Sequence, residues 1–163
     1  MVIGRVDLHT HSSYSDGLLQ PEELVRKAVD MGLSGLALTD HDTLDGIPSF
    51  LSVDIPDNWF RVPGVEISTI HNGLDTHPLA YYVLDNSGEL RKILTELEEH
   101  RKKRLPKMIK KLEDLGISIN PDDVDDMLRD VTTPGRPHLA RLLVKSGAVL
   151  SIQEAFREYI GEG

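Results

Sequence analysis

Gly35-Leu36-Ala37-Leu38-Thr39-Asp40-His41-Asp42 decides the fold class of this chain. A short apolar run makes a buried strand, and three groups able to bind a metal or carry a proton follow at its C-terminal end. Packing gives no reason for Asp-His-Asp at that point, whereas loops after the strands of α/β proteins are where active sites assemble. The flanking sequence has the matching rhythm. Arg5–His9 reads as a strand. Pro21–Met31 reads as a helix with an acidic first turn, an apolar stripe through Leu24, Val25, Ala28 and Val29, and Gly32 at its end. Strand, helix, strand in this order predicts an α/β fold with βα units and a parallel sheet.

Further along, a third strand is expected near Arg61–Ser68 and a fourth near Thr76–Leu84, with His71-Asn72-Gly73 as a turn between apolar runs. After Asn86 the chain reads as helices only. Glu89–Leu115 is long and charged, with Pro106 expected to kink or divide it and Gly116 closing it. Asn120-Pro121-Asp122-Asp123 is a helix start, Pro137–Ser146 a further helix ahead of Gly147, and Ser151-Ile152-Gln153-Glu154 a capping box for a last helix ending at Gly161. Two segments result, 1–86 and 87–163. Four strands cannot close a parallel barrel, so the fold is expected to be incomplete, either as a fragment or with another copy of the chain pairing the open edge.

Length and composition bound the function. At 163 residues the chain can bury a core, and its 39% hydrophobic and 28% charged content excludes disorder. The absence of cysteine excludes disulfides, thiolate metal sites and a thiol nucleophile. No apolar run is long enough to cross a bilayer, and no signal-peptide core precedes Arg5, so no membrane partner and a cytoplasmic location are expected. A net charge of −9 argues against a general nucleic-acid-binding surface, while leaving room for a nucleotide or RNA end in a local positive pocket.

Candidate ligands come singly and gain force together. His9-Thr10-His11 at a strand end can put two imidazoles on one face. Asp16 lies in Ser-Tyr-Ser-Asp-Gly, where an aspartate is more often a turn former than a ligand. Glu66 ends the apolar Val62-Pro63-Gly64-Val65, where a carboxylate needs a partner or a cation. His77 precedes Leu79-Ala80-Tyr81 and on its own reads equally as a half-buried strand histidine. Yet His9, His11, Asp16, His41, Glu66 and His77 arrive at successive strand ends and would meet at one mouth. Mixed imidazole and carboxylate donors suit zinc, manganese or iron, and six ligands suit two or three metal ions.

Asp7-Leu8-His9-Thr10-His11, Ser15-Asp16-Gly17, Leu38-Thr39-Asp40-His41-Asp42-Thr43, Pro63-Gly64-Val65-Glu66 and His77 together resemble the polymerase and histidinol phosphatase (PHP) family. The resemblance implies the first part of a distorted seven-stranded (βα) barrel, carrying a helical insertion. It also implies a trinuclear site in which His9, His11 and Glu66 hold one metal, Glu66 and His77 a second, and Asp16 with His41 a third. The family's later histidine motif and final Asp-x-His motif do not follow His77. Pro134-Gly135-Arg136-Pro137-His138-Leu139-Ala140 and Glu154-Ala155-Phe156 resemble the insertion of the TrpH/RNase AM branch, which implies Arg136 and His138 as substrate contacts. Without the family, Arg136 reads equally as a solvated helix start and His138 as packed on Leu142.

The expected activity is metal-dependent hydrolysis of a phosphate ester, either of a 3′,5′-nucleoside bisphosphate or at an RNA 5′ end, by a metal-bound hydroxide. Glu66, His41 and Asp40 are the residues expected to carry it, with Asp40 and Asp42 orienting imidazoles. The alternatives are a histidinol-phosphatase-like phosphomonoesterase and, from another class, a catalytically incomplete metal-binding or interaction module. Arg101-Lys102-Lys103-Arg104 is expected on a solvated helix paired with Glu96, Glu98 and Glu99, from which Arg101 and Arg104 could lean toward the mouth. His71 and His100 are expected to be structural or exposed.

Overall fold

The computed structural model describes residues 4–83, 88–129, 131 and 133–161. Its elements are β1 (Val6–Asp7), α1 (Pro21–Asp30), β2 (Gly35–Leu38), α2 (Ile47–Ser52), β3 (Phe60–Glu66), β4 (Thr69–His71), β5 (Leu74–Thr76) and β6 (Leu79–Tyr81). Four helices follow: α3 (Gly88–Asp114), α4 (Pro121–Arg129), α5 (Arg136–Lys145) and α6 (Ile152–Ala155), the last running into a π-helical turn over Phe156–Ile160. The expected boundary between Asn86 and Ser87 falls outside the described residues, as does Leu84 at the end of the expected fourth strand.

The main sheet has the order β1-β2-β3-β6 and is open. β1, β2 and β3 pair in parallel, through Val6 with Gly35 and Leu36 with Arg61. β6 pairs antiparallel to β3, with Gly64 opposite Tyr81 and Glu66 opposite Leu79. The sheet is therefore mixed, which corrects the expectation of a parallel one. A parallel return needs a crossover of a dozen or more residues, usually with a helix. The chain between β3 and β6 instead folds into the β4–β5 hairpin. That hairpin also takes Thr76 from the expected fourth strand. Its turn is Asn72-Gly73, with φ of 51° and 79°, the left-handed pair that matches strand twist and that glycine adopts without cost.

Two apolar clusters hold the chain. Val25 and Ala28 of α1 and Ile47 and Phe50 of α2 pack with Leu36, Leu38 and Trp59 against one face of the sheet. Full burial of Phe50 alone contributes roughly 2–3 kcal/mol. α1 starts on Pro21, and the Glu23 side chain accepts a bond from the Gln20 N–H at 3.0 Å. The second cluster belongs to the helices, with Leu112, Ile119, Leu139, Leu142, Leu143 and Ala155 at its centre. α3 is one helix through Pro106, which does not divide it as expected. The residues buried on either side, Leu105 and Leu112, anchor the helix across the amide that proline leaves without a donor.

Arg61 of β3 closes the short helix α2. Its Nη1 donates to the carbonyls of Phe50, Leu51 and Val53 at 3.1, 2.6 and 2.7 Å, where the helix dipole leaves partial negative charge. Replacing it with methionine keeps the stem and removes these charge-assisted bonds. Arg61→Met is expected to lower the unfolding free energy by about 2 kcal/mol in urea denaturation, with metal binding unchanged.

Candidate metal centre

Backbone pairing aims the ligands. Thr39 N–H donates to the Thr10 carbonyl at 2.9 Å and Thr10 Oγ1 donates to the Ala37 carbonyl at 2.5 Å, so Thr10 is tied to β2. His9 and His11 flank it, and the alternation of an extended chain sends both imidazoles to the same side. They follow β1 as a loop rather than ending the strand, which stops at Asp7. His41 and Glu66 are brought side by side by a backbone bridge, in which Asp42 N–H donates to the Glu66 carbonyl at 2.9 Å and Glu66 N–H to the Asp40 carbonyl at 3.1 Å. His77 sits in the short link between β5 and β6 and not within a strand. The Pro78 that follows it cannot donate to a sheet ladder.

Four of the other five candidate ligands surround the buried Glu66 carboxylate. Its Oε2 lies 2.9 Å from His9 Nε2, 3.0 Å from His11 Nε2 and 3.6 Å from His41 Nδ1. Its Oε1 lies 3.3 Å from His77 Nδ1. Asp16 approaches from the opposite loop, 3.4 Å from His11 Nδ1 and 3.6 Å from His41 Nε2. Three groupings have the compactness of a metal site: His9, His11 and Glu66; His11, Asp16 and His41; and His41, Glu66 and His77. The pairings of His11 with Asp16 and of His41 with Glu66 go beyond the family's implied sets, because both contacts depend on how the loops fold back.

The neighbouring aspartates hold loops. Asp40 accepts from Ser12 N–H at 2.7 Å, Ser12 Oγ at 2.6 Å and Ser15 Oγ at 2.5 Å, and so ties the Asp16 loop to β2. It reaches an imidazole only through Ser15, whose Oγ is 3.4 Å from His11 Nδ1. Gly17 lets this loop close, since a Cβ there would stand 2.2 Å from the His11 carbonyl oxygen. Asp42 is buried with φ of 56° and accepts from Ser68 N–H and Oγ, both at 2.6 Å, and from Arg101 Nε at 2.5 Å. Among the described residues neither aspartate hydrogen-bonds an imidazole directly, so the expected direct orientation is replaced by orientation of the loops that carry them.

Arg101 leans toward the mouth, the second of the two placements open to it. It belongs to a basic run expected on a solvated face, and Lys102 does pair there with Glu99 at 3.6 Å. Arg101 instead is buried against Asp42 and also donates to Ser68 Oγ at 2.6 Å. Two further ties come from α5 and the segment before it, Arg141 to the Asp16 carbonyl at 2.5 Å and Thr133 Oγ1 to the Tyr14 carbonyl at 3.2 Å.

Electrostatics suit a cation. Burial alone would push the Glu66 carboxyl up, but hydrogen bonds from His11 and His9 and the nearby His41 outweigh it and hold the pKa at about 2. Burial, reinforced by Arg101, lowers His41 to about 4 and keeps it neutral. His41 Nδ1 is buried without a hydrogen-bond partner, as a ring nitrogen available to a metal would be. For His11, burial is outweighed by the Glu66 hydrogen bond and the charges of Asp16, Glu66 and Asp40, and its pKa is raised. Four imidazoles and two carboxylates, all oxygen or nitrogen donors, fit divalent transition ions.

A recess of about 120 Å³ opens over this cluster, its walls including Asp16, His41, His77, Arg101, Arg104 and Arg136. Burial and the proximity of Arg101 and Arg136 lower the pKa of Arg104, three guanidiniums having been gathered at one place. His138 is not on that wall. It is buried at the start of α5, where its Nδ1 accepts the Gly135 N–H at 3.1 Å. Burial, with Arg141 nearby, lowers its pKa to about 4.

The chain belongs to the PHP domain family, whose model matches residues 7–120. A 5′-3′ exoribonuclease of Haemophilus influenzae is 35% identical over 98% of this chain and 57% of its own length. A 3′,5′-nucleoside bisphosphate phosphatase of Chromobacterium violaceum is 32% identical over 99% of this chain and 56% of its own. In structure, a candidate metal-dependent phosphoesterase of Bifidobacterium adolescentis superposes with a TM-score of 0.84 at 26% identity, over 98% of this chain and 56% of that one. The chain thus spans about half the length of the curated relatives it matches.

Two outcomes follow from the buried groups. Arg101→Met leaves the Asp42 carboxylate without its cation and is expected to cost about 3–5 kcal/mol in urea denaturation. His138 is neutral when folded and takes up a proton more readily when unfolded, so the unfolded chain binds more protons between pH 6.5 and 4. Its stabilisation is complete above pH 6.5 and is lost as pH falls toward 4. His138→Asn, which can still accept the Gly135 bond, is expected to flatten the decline in unfolding free energy between pH 7 and 5.

Proposed function

We propose that this chain forms the metal-binding part of a phosphoesterase acting on nucleotide or RNA phosphate esters. The observation that carries this reading is the convergence of His9, His11, Asp16, His41, Glu66 and His77 on one point beneath Arg101, Arg104 and Arg136. Glu66 would be shared between bound ions, with His9 and His11 to hold one, His41 and His77 another, and Asp16 to join His11 and His41. Manganese, zinc or iron suits this donor set. Bound divalent ions would supply Lewis acidity toward a phosphoryl oxygen and lower the pKa of water at the site. The protein residues do the rest: neutral His41 presents a free ring nitrogen, Asp40 and Ser15 hold the loop of Asp16, and the arginines receive the charge of the phosphate. Arg136 lines the recess as a substrate contact, and His138 acts by shaping the start of its helix.

The names of the relatives support this substrate class, one acting as a 5′-3′ exoribonuclease and another on 3′,5′-nucleoside bisphosphates. The open sheet forms the first part of the family's seven-stranded barrel, and the helices from α3 onward form the wall that supplies the arginines. Exposed Val6 and Leu8 beside the β1 edge support the first point.

The test is metal content by elemental analysis together with turnover of a 3′,5′-nucleoside bisphosphate by the 163-residue chain. Bound manganese, zinc or iron is expected, with Glu66→Gln and His41→Ala each weakening metal affinity by about 10–100-fold. A wild-type chain that binds none of these ions would overturn the reading.

A further inference from the structure

One face of α3 extends the arginine cluster away from the metal centre. Arg101, Arg104, Met108 and Lys111 recur at three- and four-residue spacing and so lie along the same side of the helix. A cleft of about 290 Å³ runs between this face and the π-helical turn, with Asp75, Arg104, Met108, Lys111, Arg136 and Tyr159 among its walls. It shares Asp75, Arg104 and Arg136 with the recess over the metal cluster, so the two spaces adjoin. Three cations against one carboxylate line it, in a chain whose net charge is −9. That contrast points to an anionic ligand held locally and not to general attraction.

Length and chemistry narrow the ligand. Lys111 lies seven positions after Arg104, about 10 Å along a helix axis, which is more than one phosphate can span. Tyr159 is 40% exposed and offers an aromatic ring next to these cations. Spaced cations with an aromatic platform are how proteins hold single-stranded nucleic acid without reading its sequence. A second cleft, of about 350 Å³ between α3 and the β4–β5 hairpin, borders His77 but brings Ile70, Leu97 and His100, and no lysine or arginine beyond Arg101 and Arg104. Charge therefore favours the Lys111 side.

We propose that the Arg104–Lys111–Tyr159 cleft seats the nucleotides that follow the scissile phosphate of a single-stranded RNA. Arg104 and Lys111 hold successive backbone phosphates and Tyr159 stacks on a base. This rests on the phosphoesterase reading of the metal centre, and makes the chain an oligonucleotide binder in preference to a mononucleotide one.

The experiment compares binding of a 5′-phosphorylated tetraribonucleotide with hydrolysis-resistant phosphorothioate linkages against a nucleoside 3′,5′-bisphosphate, using the manganese-loaded 163-residue chain. The tetranucleotide is expected to bind at least about 10-fold more tightly. Lys111→Ala and Tyr159→Ala, both at exposed positions, are each expected to shrink that ratio about 5-fold or more, and Lys111→Ala to reduce the slope of log affinity against log salt by about 0.7. Lys110→Ala, on the same helix but paired with Asp114 at 3.5 Å, is expected to leave the ratio unchanged. Equal affinity for the two ligands, or a ratio insensitive to Lys111 and Tyr159, would overturn the cleft while leaving hydrolysis at the metal centre standing. Tetranucleotide binding that depends on Lys111 and Tyr159, in a chain that hydrolyses no phosphate ester with any of the three metals, would support the cleft and count against the catalytic reading.

Discussion

Burying a carboxylate at the end of β3 is the constraint around which this molecule is arranged. Glu66 is 5% exposed, and an isolated charge in that position would be costly. Its oxygens are instead surrounded by nitrogens of His9, His11, His41 and His77, delivered by three separate pieces of backbone. β3 must therefore lie beside β2 in a register that sets His41 against Glu66, and the chain after β1 must be extended so that His9 and His11 face the same way. The reversal through the β4–β5 hairpin then returns His77 to the second oxygen. A single carboxylate links the strand order, the loop conformations and the placement of the ligands.

The second arrangement is the seam between the two apolar clusters. One cluster lies between α1, α2 and the sheet, and the other among the later helices. Polar ties join them: Arg101 to Asp42, Arg141 to the Asp16 carbonyl and Thr133 to the Tyr14 carbonyl. Each tie ends on, or next to, a loop that carries a candidate ligand. Docking of the helices and shaping of the metal centre are consequently one event. The same docking gathers Arg101, Arg104 and Arg136 over the centre, which gives the chain a concentrated positive site despite its acidic composition.

Much of this was legible in residue order. The alternation of strand and helix over the first 40 residues, the helical character of the second half and all six candidate ligands were visible, because each depends on local periodicity or on polar groups in or near strands. The direction of β6 was not visible, since a strand reads the same whichever way it pairs. Helix α2 was missed because Ile47-Pro48-Ser49-Phe50-Leu51-Ser52 is short, and its C-terminal carbonyls are satisfied by Arg61, which arrives from the next strand.

The Asp-His-Asp after β2 shows where the division falls. Residue order alone puts these groups at a strand end, and with the family's motifs it leads to the expectation that His9, His11, Asp16, Glu66 and His77 join His41 there. The tertiary structure alone decided what the two aspartates do: Asp40 turns to Ser12 and Ser15, and Asp42 to Ser68 and Arg101. It also took Arg101 out of a run of surface charges and buried it. The physical reason is that a buried charge is assigned by whichever partner long-range packing brings within hydrogen-bonding distance, and Arg101 lies 59 residues from Asp42.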